Sequence, residues 1–136
     1  MLFVCLGNSC RSPMAEALAR HLAADVMEPS SAGISPLGHV AEETRKVLAE
    51  RGVSAAGLVS KGLVKQILNS TDLIVNMSGI PSESIFQSRR AIDWDVQDPY
   101  GEDLELYRQI CDDIEKRVAA LAKDLRVELK SSAVNA

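Results

Sequence analysis

The hydrophobic positions of this chain follow two different periods. Short apolar runs typical of buried parallel strands lie at residues 2–5 and 73–77, a weaker run lies at 91–94, and a further strand ends at 30–33. Elsewhere apolar residues recur every three or four positions, which predicts helices at residues 13–24, 41–52, 61–69 and 103–125. Strands that alternate with helices predict a three-layer α/β/α domain with a four-stranded parallel sheet, of the flavodoxin-like or Rossmann-like type.

The last predicted helix has the clearest periodicity. Its apolar stripe consists of Leu104, Cys111, Ile114, Val118, Leu121 and Leu125. We expect this stripe to pack on the sheet, which makes Cys111 a core residue. Residues 130–136 carry little pattern, so the sequence predicts a single domain over residues 1–128 and a disordered tail over residues 129–136.

Composition narrows the classes of function. The chain has 136 residues, of which 46% are hydrophobic, and a net charge of −4. That charge argues against general nucleic-acid binding, because such binding needs clustered cations. The opening apolar run is too short for a signal peptide, and no stretch approaches the length of a membrane span. The odd count of three cysteines favours a reducing compartment, and we expect a monomeric cytoplasmic protein.

The junction between the first strand and the first helix carries the candidate chemistry. It reads Cys5-Leu6-Gly7-Asn8-Ser9-Cys10-Arg11-Ser12, with five residues between a thiol and an arginine. A loop of this length can surround a tetrahedral oxyanion, with its amides pointing inward and the guanidinium of Arg11 on two oxygens. The positive end of the following helix favours both a bound anion and an ionised thiol at Cys5.

Residues within this junction suit such a loop. Gly7 and Asn8 tolerate the left-handed backbone angles that successive inward N–H groups require. Ser12 and Pro13 are typical of a helix N-cap and a first helical residue. No Glu or Gln follows Ser12 by three residues, so its hydroxyl is free to donate to the thiolate. The alternative from these residues alone is a buried structural Cys5 before an ordinary capped helix.

Two separated motifs together resemble one protein family. The first is Phe3-Val4-Cys5-Leu6-Gly7-Asn8-Ser9-Cys10-Arg11-Ser12-Pro13-Met14-Ala15-Glu16, and the second is Asp98-Pro99-Tyr100. In this order they resemble the signature and the general-acid motif of the low-molecular-weight protein tyrosine phosphatases, and the similarity spans nearly the whole chain. The resemblance implies a phosphatase that forms a phosphocysteine on Cys5, with catalytic roles for Arg11 and Asp98. It implies a phosphorylated protein or peptide as substrate and no cofactor.

The resemblance also assigns residues around the phosphate. The phosphate-binding set, which would equally take sulfate or similar oxyanions, is Leu6, Gly7, Asn8, Ser9, Cys10, Arg11 and Ser12. Asp98 would protonate the leaving group and then activate water. The family supports a reversible Cys5–Cys10 disulfide in which Cys10 protects the nucleophile from over-oxidation. We expect no metal, because these cysteines lack a second pair and the two histidines show no ligand spacing.

The choice of substrate is left open by the pocket residues Ser9 and Tyr100. Tyrosine-specific relatives usually carry a bulky aliphatic residue at position 9, whereas protein arginine phosphatases carry threonine, to which Ser9 is chemically closer. Tyr100 agrees with the tyrosine enzymes, although Gly101 stands where many of them have a second aromatic residue. On the overall resemblance we expect phosphotyrosine, with phosphoarginine as the alternative.

Two further functions are less favoured by the sequence. Thioredoxin-coupled arsenate reductases share the loop but need relay cysteines near residues 77–82, and no cysteine occurs between Cys10 and Cys111. Arsenate reduction with an external thiol therefore stays as a lesser alternative. A non-catalytic phosphate-binding module would need the loop but not Asp98, so the presence of both argues against it.

Overall fold

Four strands and five helices alternate along residues 1–87 and 89–135, the part of the chain that this computed structural model describes. Their bounds are β1 Leu2–Cys5, α1 Arg11–Leu22, β2 Ser30–Gly33, α2 Glu42–Glu50, α3 Lys65–Asn69, β3 Ile74–Asn76, α4 Ser82–Ile85, β4 Ala91–Asp93 and α5 Leu104–Asn135. The sheet order is β2-β1-β3-β4, and every pair of neighbouring strands is parallel. The predicted four-stranded parallel α/β fold is confirmed.

Alternating side chains of the strands fill two separate cores. Phe3 and Val75 lie in the larger core, together with buried residues of α1, α2 and α5. Leu2, Val4 and Ile74 lie in the smaller core, which α3 and α4 help to cover. Because successive residues of a strand point to opposite faces, one buried strand such as β1 serves both cores. The sheet is thereby enclosed between two layers of helices.

The strand order places the functional edge of the sheet. The chain runs from β1 outward to β2 on one side and then returns to place β3 on the other side of β1. In open parallel sheets, ligands bind beyond the carboxyl ends of the strands where the order reverses in this way. The loops that follow all four strands therefore meet at one edge, and the loop after β1 lies at its centre.

The region before β3 differs from the sequence-based prediction. A single helix was predicted for residues 61–69, but α3 covers only Lys65–Asn69. The preceding residues are extended and pair with the end of β2: Gly33 N–H donates to Lys61 O at 2.8 Å, and Leu63 N–H donates to Gly33 O at 3.1 Å. Backbone pairing with β2 overrides the helical spacing of the apolar residues there, and Gly62 is itself a poor helix former.

Helices α1, α4 and α5 also differ from the sequence-based prediction. Helix α1 begins at Arg11, two residues before Pro13, and the short helix α4 was not predicted. Helix α5 continues to Asn135, through most of the segment 129–136 for which a disordered tail was predicted. No Gly or Pro occurs between residues 104 and 135, so nothing in the sequence ends this helix earlier. Ala136 lies outside the described residues, and the single domain over residues 1–128 stays a prediction.

The described helices include none with both the length and the apolar composition needed to span a membrane.

Candidate active site

The loop between β1 and α1 is shaped by the end of β2. Asn8 adopts a left-handed conformation with φ of 46°, as expected for an asparagine within a tight loop. Gly33, the last residue of β2, passes directly beneath this loop. A Cβ atom at Gly33 would lie 2.8 Å from Asn8 N and 2.9 Å from Leu6 O, which is too close for any side chain. Gly33 therefore allows the loop to close over the strand ends.

The segment after β2 holds the outer edge of the same loop. Three consecutive carbonyls, those of residues 5–7, accept hydrogen bonds from the N–H groups of residues 34, 35 and 37 at 2.8 to 3.1 Å. These carbonyls therefore face the second loop and not the pocket. The arrangement joins the two loops into one wall.

The thiol of Cys5 lies at the base of this loop and is 2% exposed. Its Sγ is 2.9 Å from Ser12 Oγ, and the Ser12 backbone N–H donates to it at 3.5 Å. Asn8 Nδ2 donates to the same Ser12 oxygen at 2.8 Å, so the hydroxyl hydrogen of Ser12 is available for the sulfur. Asn8 Oδ1 in turn accepts from the backbone N–H of Lys61 at 2.8 Å. Ser12 is thus placed to donate to Cys5, and Cys10 occupies the helix N-cap position that was predicted for Ser12.

The guanidinium of Arg11 is buried and fixed by backbone oxygens. Its Nη1 donates to Met77 O at 2.5 Å and to Val96 O at 3.2 Å, which anchors it to the segments after β3 and β4. Among the described residues, Arg11 Nε has no hydrogen-bond partner, and neither has the buried hydroxyl of Ser9. Both residues line the pocket above Cys5. Buried polar atoms left unpaired in a protein interior are costly unless a ligand satisfies them.

The loop that carries Asp98 and Tyr100, here called the acid loop, lies opposite the loop between β1 and α1. Asp98 Oδ2 is 3.4 Å from Arg11 Nη2, and Asp98 Oδ1 accepts the Tyr100 backbone N–H at 3.1 Å. The exposed ring of Tyr100 faces His39 from the loop after β2, with ring centroids 6.3 Å apart. These contacts bring residues nearly 90 positions apart in sequence to one place.

The resulting cavity has a volume of about 240 Å³. The predicted site residues that line it are Cys5, Leu6, Gly7, Ser9, Cys10, Arg11, Asp98 and Tyr100. Asn8 and Ser12 lie behind the loop, fully buried, and contact the thiol side of it. Ser35 and Leu37 also line the cavity, although they were not among the predicted site residues, because their loop carries no chemical motif.

The second cysteine of the loop has a different environment. Cys10 Sγ donates to the hydroxyl of Tyr107 on α5 at 3.4 Å. Burial raises the pKa of the Cys10 thiol, so it stays protonated more readily than an exposed thiol. Cys111 lies in the core, as predicted, and burial raises its pKa to about 11. No three His, Cys, Asp or Glu side chains within the described residues form a group that could hold a metal.

A larger and more open cavity, of about 890 Å³, lies at the opposite end of the sheet. Its lining carries the carboxylates of Asp25, Glu28, Asp72 and Glu128 against two cationic groups, Arg90 and the amino terminus of Met1. The excess of negative charge disfavours a phosphate there, so the smaller cavity above Cys5 is the candidate active site.

The parallel α/β sheet, with a buried thiol at the base of the loop after its central strand β1, agrees with the fold and the motif of the family that the sequence resembles. The chain belongs to the low molecular weight phosphotyrosine protein phosphatase family, whose model matches residues 1–131. The predicted family membership is confirmed.

The names of individual relatives state different activities. A protein-arginine-phosphatase of Bacillus subtilis is 32% identical, over 93% of this chain and 96% of its own. The low molecular weight protein-tyrosine-phosphatase YfkJ of the same species is 33% identical, over 91% of this chain and 96% of its own. The solved YwlE arginine phosphatase, in a cysteine-to-serine form with a phosphorylated active-site serine, superposes with a TM-score of 0.83 at 29% identity, over 92% and 94% of the two chains. Other relatives are named arsenate reductases.

Proposed function

We propose that this protein hydrolyses phosphorylated side chains of proteins or peptides through a phosphocysteine intermediate on Cys5. The observation that carries the proposal is the single pocket in which a hydrogen-bonded thiol, a fixed guanidinium and a carboxyl group meet. A reducing, cytoplasmic setting is part of the proposal, because an oxidised Cys5 cannot attack phosphorus.

The first step would transfer the phosphoryl group to sulfur. The phosphate oxygens replace Asp98 as partners of Arg11, and the unpaired Arg11 Nε gains an acceptor. The Cys5 thiolate attacks phosphorus, the bond from phosphorus to the leaving atom breaks, and Asp98 gives that atom its proton. Loop amides and the guanidinium stabilise the charge that spreads over the equatorial oxygens.

The second step would release the phosphate. Asp98, now ionised, accepts a proton from a water molecule as its oxygen attacks phosphorus. The bond between phosphorus and sulfur breaks, and the sulfur leaves as a thiolate. Ser12 Oγ, 2.9 Å away, donates to that developing charge. Asn8 contributes by keeping the Ser12 hydroxyl turned toward the sulfur.

Phosphotyrosine is the first substrate class that we propose. The half-exposed apolar side chains of Leu6 and Leu37 stand at the mouth of the cavity, with the ring of Tyr100 on the acid loop. Such walls suit a planar phenyl ring. The name of the family and that of the relative YfkJ support the same class.

Phosphoarginine is a second candidate, and Ser9 favours it. The buried Ser9 hydroxyl lines the cavity without a partner among the described residues. Its oxygen can accept a hydrogen bond from a substrate guanidinium, whereas a phenyl ring offers it no donor. The arginine phosphatases among the relatives support this class.

Arsenate reduction has less support at this site. A disulfide relay would need a further thiol close to Cys5 and Cys10. Cys111, the third cysteine in the sequence, lies on α5 in the core and does not line the cavity. We therefore do not extend the proposal to the relay form of that reaction, and reduction with an external thiol stays the lesser alternative.

The test compares turnover of a phosphotyrosine peptide and a phosphoarginine peptide of otherwise identical sequence. Ser9→Ile fills the space beside the phosphate and should raise the phosphotyrosine-to-phosphoarginine ratio by roughly 10- to 200-fold, the range for one such apolar contact. Ser9→Ala is the matched control, since it removes the hydroxyl without filling the space. A ratio within about twofold of wild type for Ser9→Ile would show that Ser9 is not the selector. Failure to hydrolyse either peptide or para-nitrophenyl phosphate would refute the proposed activity itself.

A further inference from the structure

The hydroxyl of Ser60 joins the two loops that form one wall of the cavity. Ser60 Oγ donates to the carbonyl of Gly7 in the phosphate loop at 3.1 Å. The same oxygen accepts the backbone N–H of Gly38, in the loop after β2, at 3.1 Å. Ser60 lies in the extended segment that precedes α3, and it is half-buried and not part of the cavity lining among the described residues. It therefore acts on the site through other residues.

Leu37 is the cavity residue that these bonds position. Its N–H donates to Gly7 O at 3.0 Å, and its Cγ lies 3.0 Å from where a Cβ of Gly7 would be. Leu37 thus rests directly on the glycine whose carbonyl Ser60 also binds. Gly38, which follows Leu37, has a φ of 86°, and its backbone N–H donates to Ser60 Oγ. The side chain itself is 45% exposed at the cavity mouth, so packing alone holds it weakly.

The phosphate half of the site, which comprises Cys5, Asn8, Arg11 and Ser12, is held in place by other contacts. Asn8 is held by the backbone N–H of Lys61 and holds Ser12 in turn. Arg11 is held by carbonyls from the other side of the pocket. Removing the Ser60 hydroxyl leaves all of these contacts in place.

We propose that Ser60 is a positioning residue that holds Leu37 against the phosphate loop and thereby sets the affinity for the organic group attached to the phosphate. The inference rests on the proposed function, since it takes the cavity to bind a phosphorylated side chain. It separates two properties of the site: phosphate recognition, which does not need Ser60, and recognition of the adjoining group, which does.

The test measures binding of phenylphosphonate, a non-hydrolysable probe with a phenyl ring, and of inorganic phosphate by calorimetry. Ser60→Ala should weaken phenylphosphonate about three- to tenfold, as expected for loss of one or two hydrogen bonds, and should change phosphate by less than about twofold. Ser60→Thr keeps the hydroxyl and should restore phenylphosphonate binding. With an active wild-type enzyme, Ser60→Ala should raise KM for para-nitrophenyl phosphate and leave kcat nearly unchanged.

Two further variants make the result specific. Leu37→Ala should weaken phenylphosphonate to a similar extent, and adding Ser60→Ala to it should have little further effect, because both changes remove one wall. Ser54→Ala is the matched control: Ser54 is a nearby serine whose hydroxyl accepts only from Ala56 N–H among the described residues, and it should bind both probes like wild type.

Three outcomes would overturn the inference. These are unchanged phenylphosphonate binding in Ser60→Ala, equal weakening of both probes, and additive effects of Ser60→Ala and Leu37→Ala. Since calorimetry needs no turnover, these outcomes are distinct from failure of the proposed hydrolysis. A wild-type protein that binds phenylphosphonate in the expected way but hydrolyses nothing would refute only the proposed function.

Discussion

The two halves of the cavity are constructed differently. On the phosphate side, Cys5, Arg11 and Ser12 are 2%, 6% and 0% exposed. On the acid side, the side chain of Asp98 is 43% exposed and Tyr100 is 47% exposed. The phosphate half is bonded to three separate strand ends, whereas the side chain of Asp98 has only two polar contacts among the described residues.

This difference assigns different tasks to the two halves. A buried loop whose thiol and guanidinium are held by hydrogen bonds is pre-organised, so in the proposed mechanism it can stabilise charge on any phosphoryl group without rearranging. An exposed carboxyl group can shift from Arg11 to a leaving group once phosphate occupies the guanidinium. Changes to Cys5, Arg11 or Ser12 should therefore affect every substrate alike, and changes in the acid half should depend on the leaving group.

Replacing the nucleophile should have the largest effect. Cys5→Ser should reduce turnover of all substrates to below about 1% of wild type, because a neutral hydroxyl there has no base to activate it. Phosphate binding, measured by calorimetry, should persist because the loop and Arg11 are unchanged. Equal loss with para-nitrophenyl phosphate and with peptides would agree with the task assigned to this half.

The Cys5→Ser variant also tests the intermediate. A related arginine phosphatase carries phosphate on a serine at the active-site cysteine position. Mass spectrometry after incubation with substrate should therefore look for one phosphoryl group at position 5 of the variant. Turnover above a few per cent of wild type would contradict the role of Cys5.

Replacing the acid should have a smaller and more selective effect. Asp98→Asn should lower kcat for a phosphotyrosine peptide about 10²- to 10⁴-fold, the usual contribution of a general acid. The loss should be smaller for para-nitrophenyl phosphate, whose leaving group needs little protonation. Steady-state kinetics on both substrates checks this, with phosphate affinity as the control. A loss of equal size for both substrates would remove the distinction between the two halves.

The fold and the phosphate loop could be predicted because their information is local. Three apolar runs and the segment that ends at residues 30–33 indicate the strands, and residues 5–12 carry all the residues of the candidate anion loop in contiguous sequence. Asp98 was predicted only through resemblance, since the dipeptide Asp-Pro is by itself an ordinary turn signal. Its approach to Arg11 depends on strand order, which periodicity does not give.

Other features depend on distant parts of the chain. The apolar spacing at residues 63–68 predicted a helix from residue 61, but pairing with Gly33 keeps residues 61–64 extended. That same pairing brings Ser60 and the Lys61 N–H to the phosphate loop, 53 residues away in sequence. The substrate class was left open for a related reason. The effect of Ser9 on substrate specificity depends on the residues that form the opposite walls of the cavity, and these come from distant parts of the chain.

The smallest expected effect concerns recovery from oxidation, which the sequence predicted for Cys10. Peroxide converts the Cys5 thiolate to a sulfenic acid, and attack by the Cys10 sulfur would release water and form a disulfide. Burial raises the pKa of Cys10, and its thiol donates to Tyr107. Cys10 is therefore a protonated thiol before the reaction, and it must break its hydrogen bond to Tyr107 to react.

Wild-type activity lost to mild peroxide should return with dithiothreitol. The Cys10→Ser variant should recover less activity, because the sulfenic acid on its Cys5 can oxidise further. Cys111→Ser is the matched control, since that buried thiol does not line the cavity and should leave recovery unchanged. Peptide mass spectrometry that finds no Cys5–Cys10 bridge in the oxidised wild type would refute the protective role and leave the phosphate half with a single redox-active cysteine.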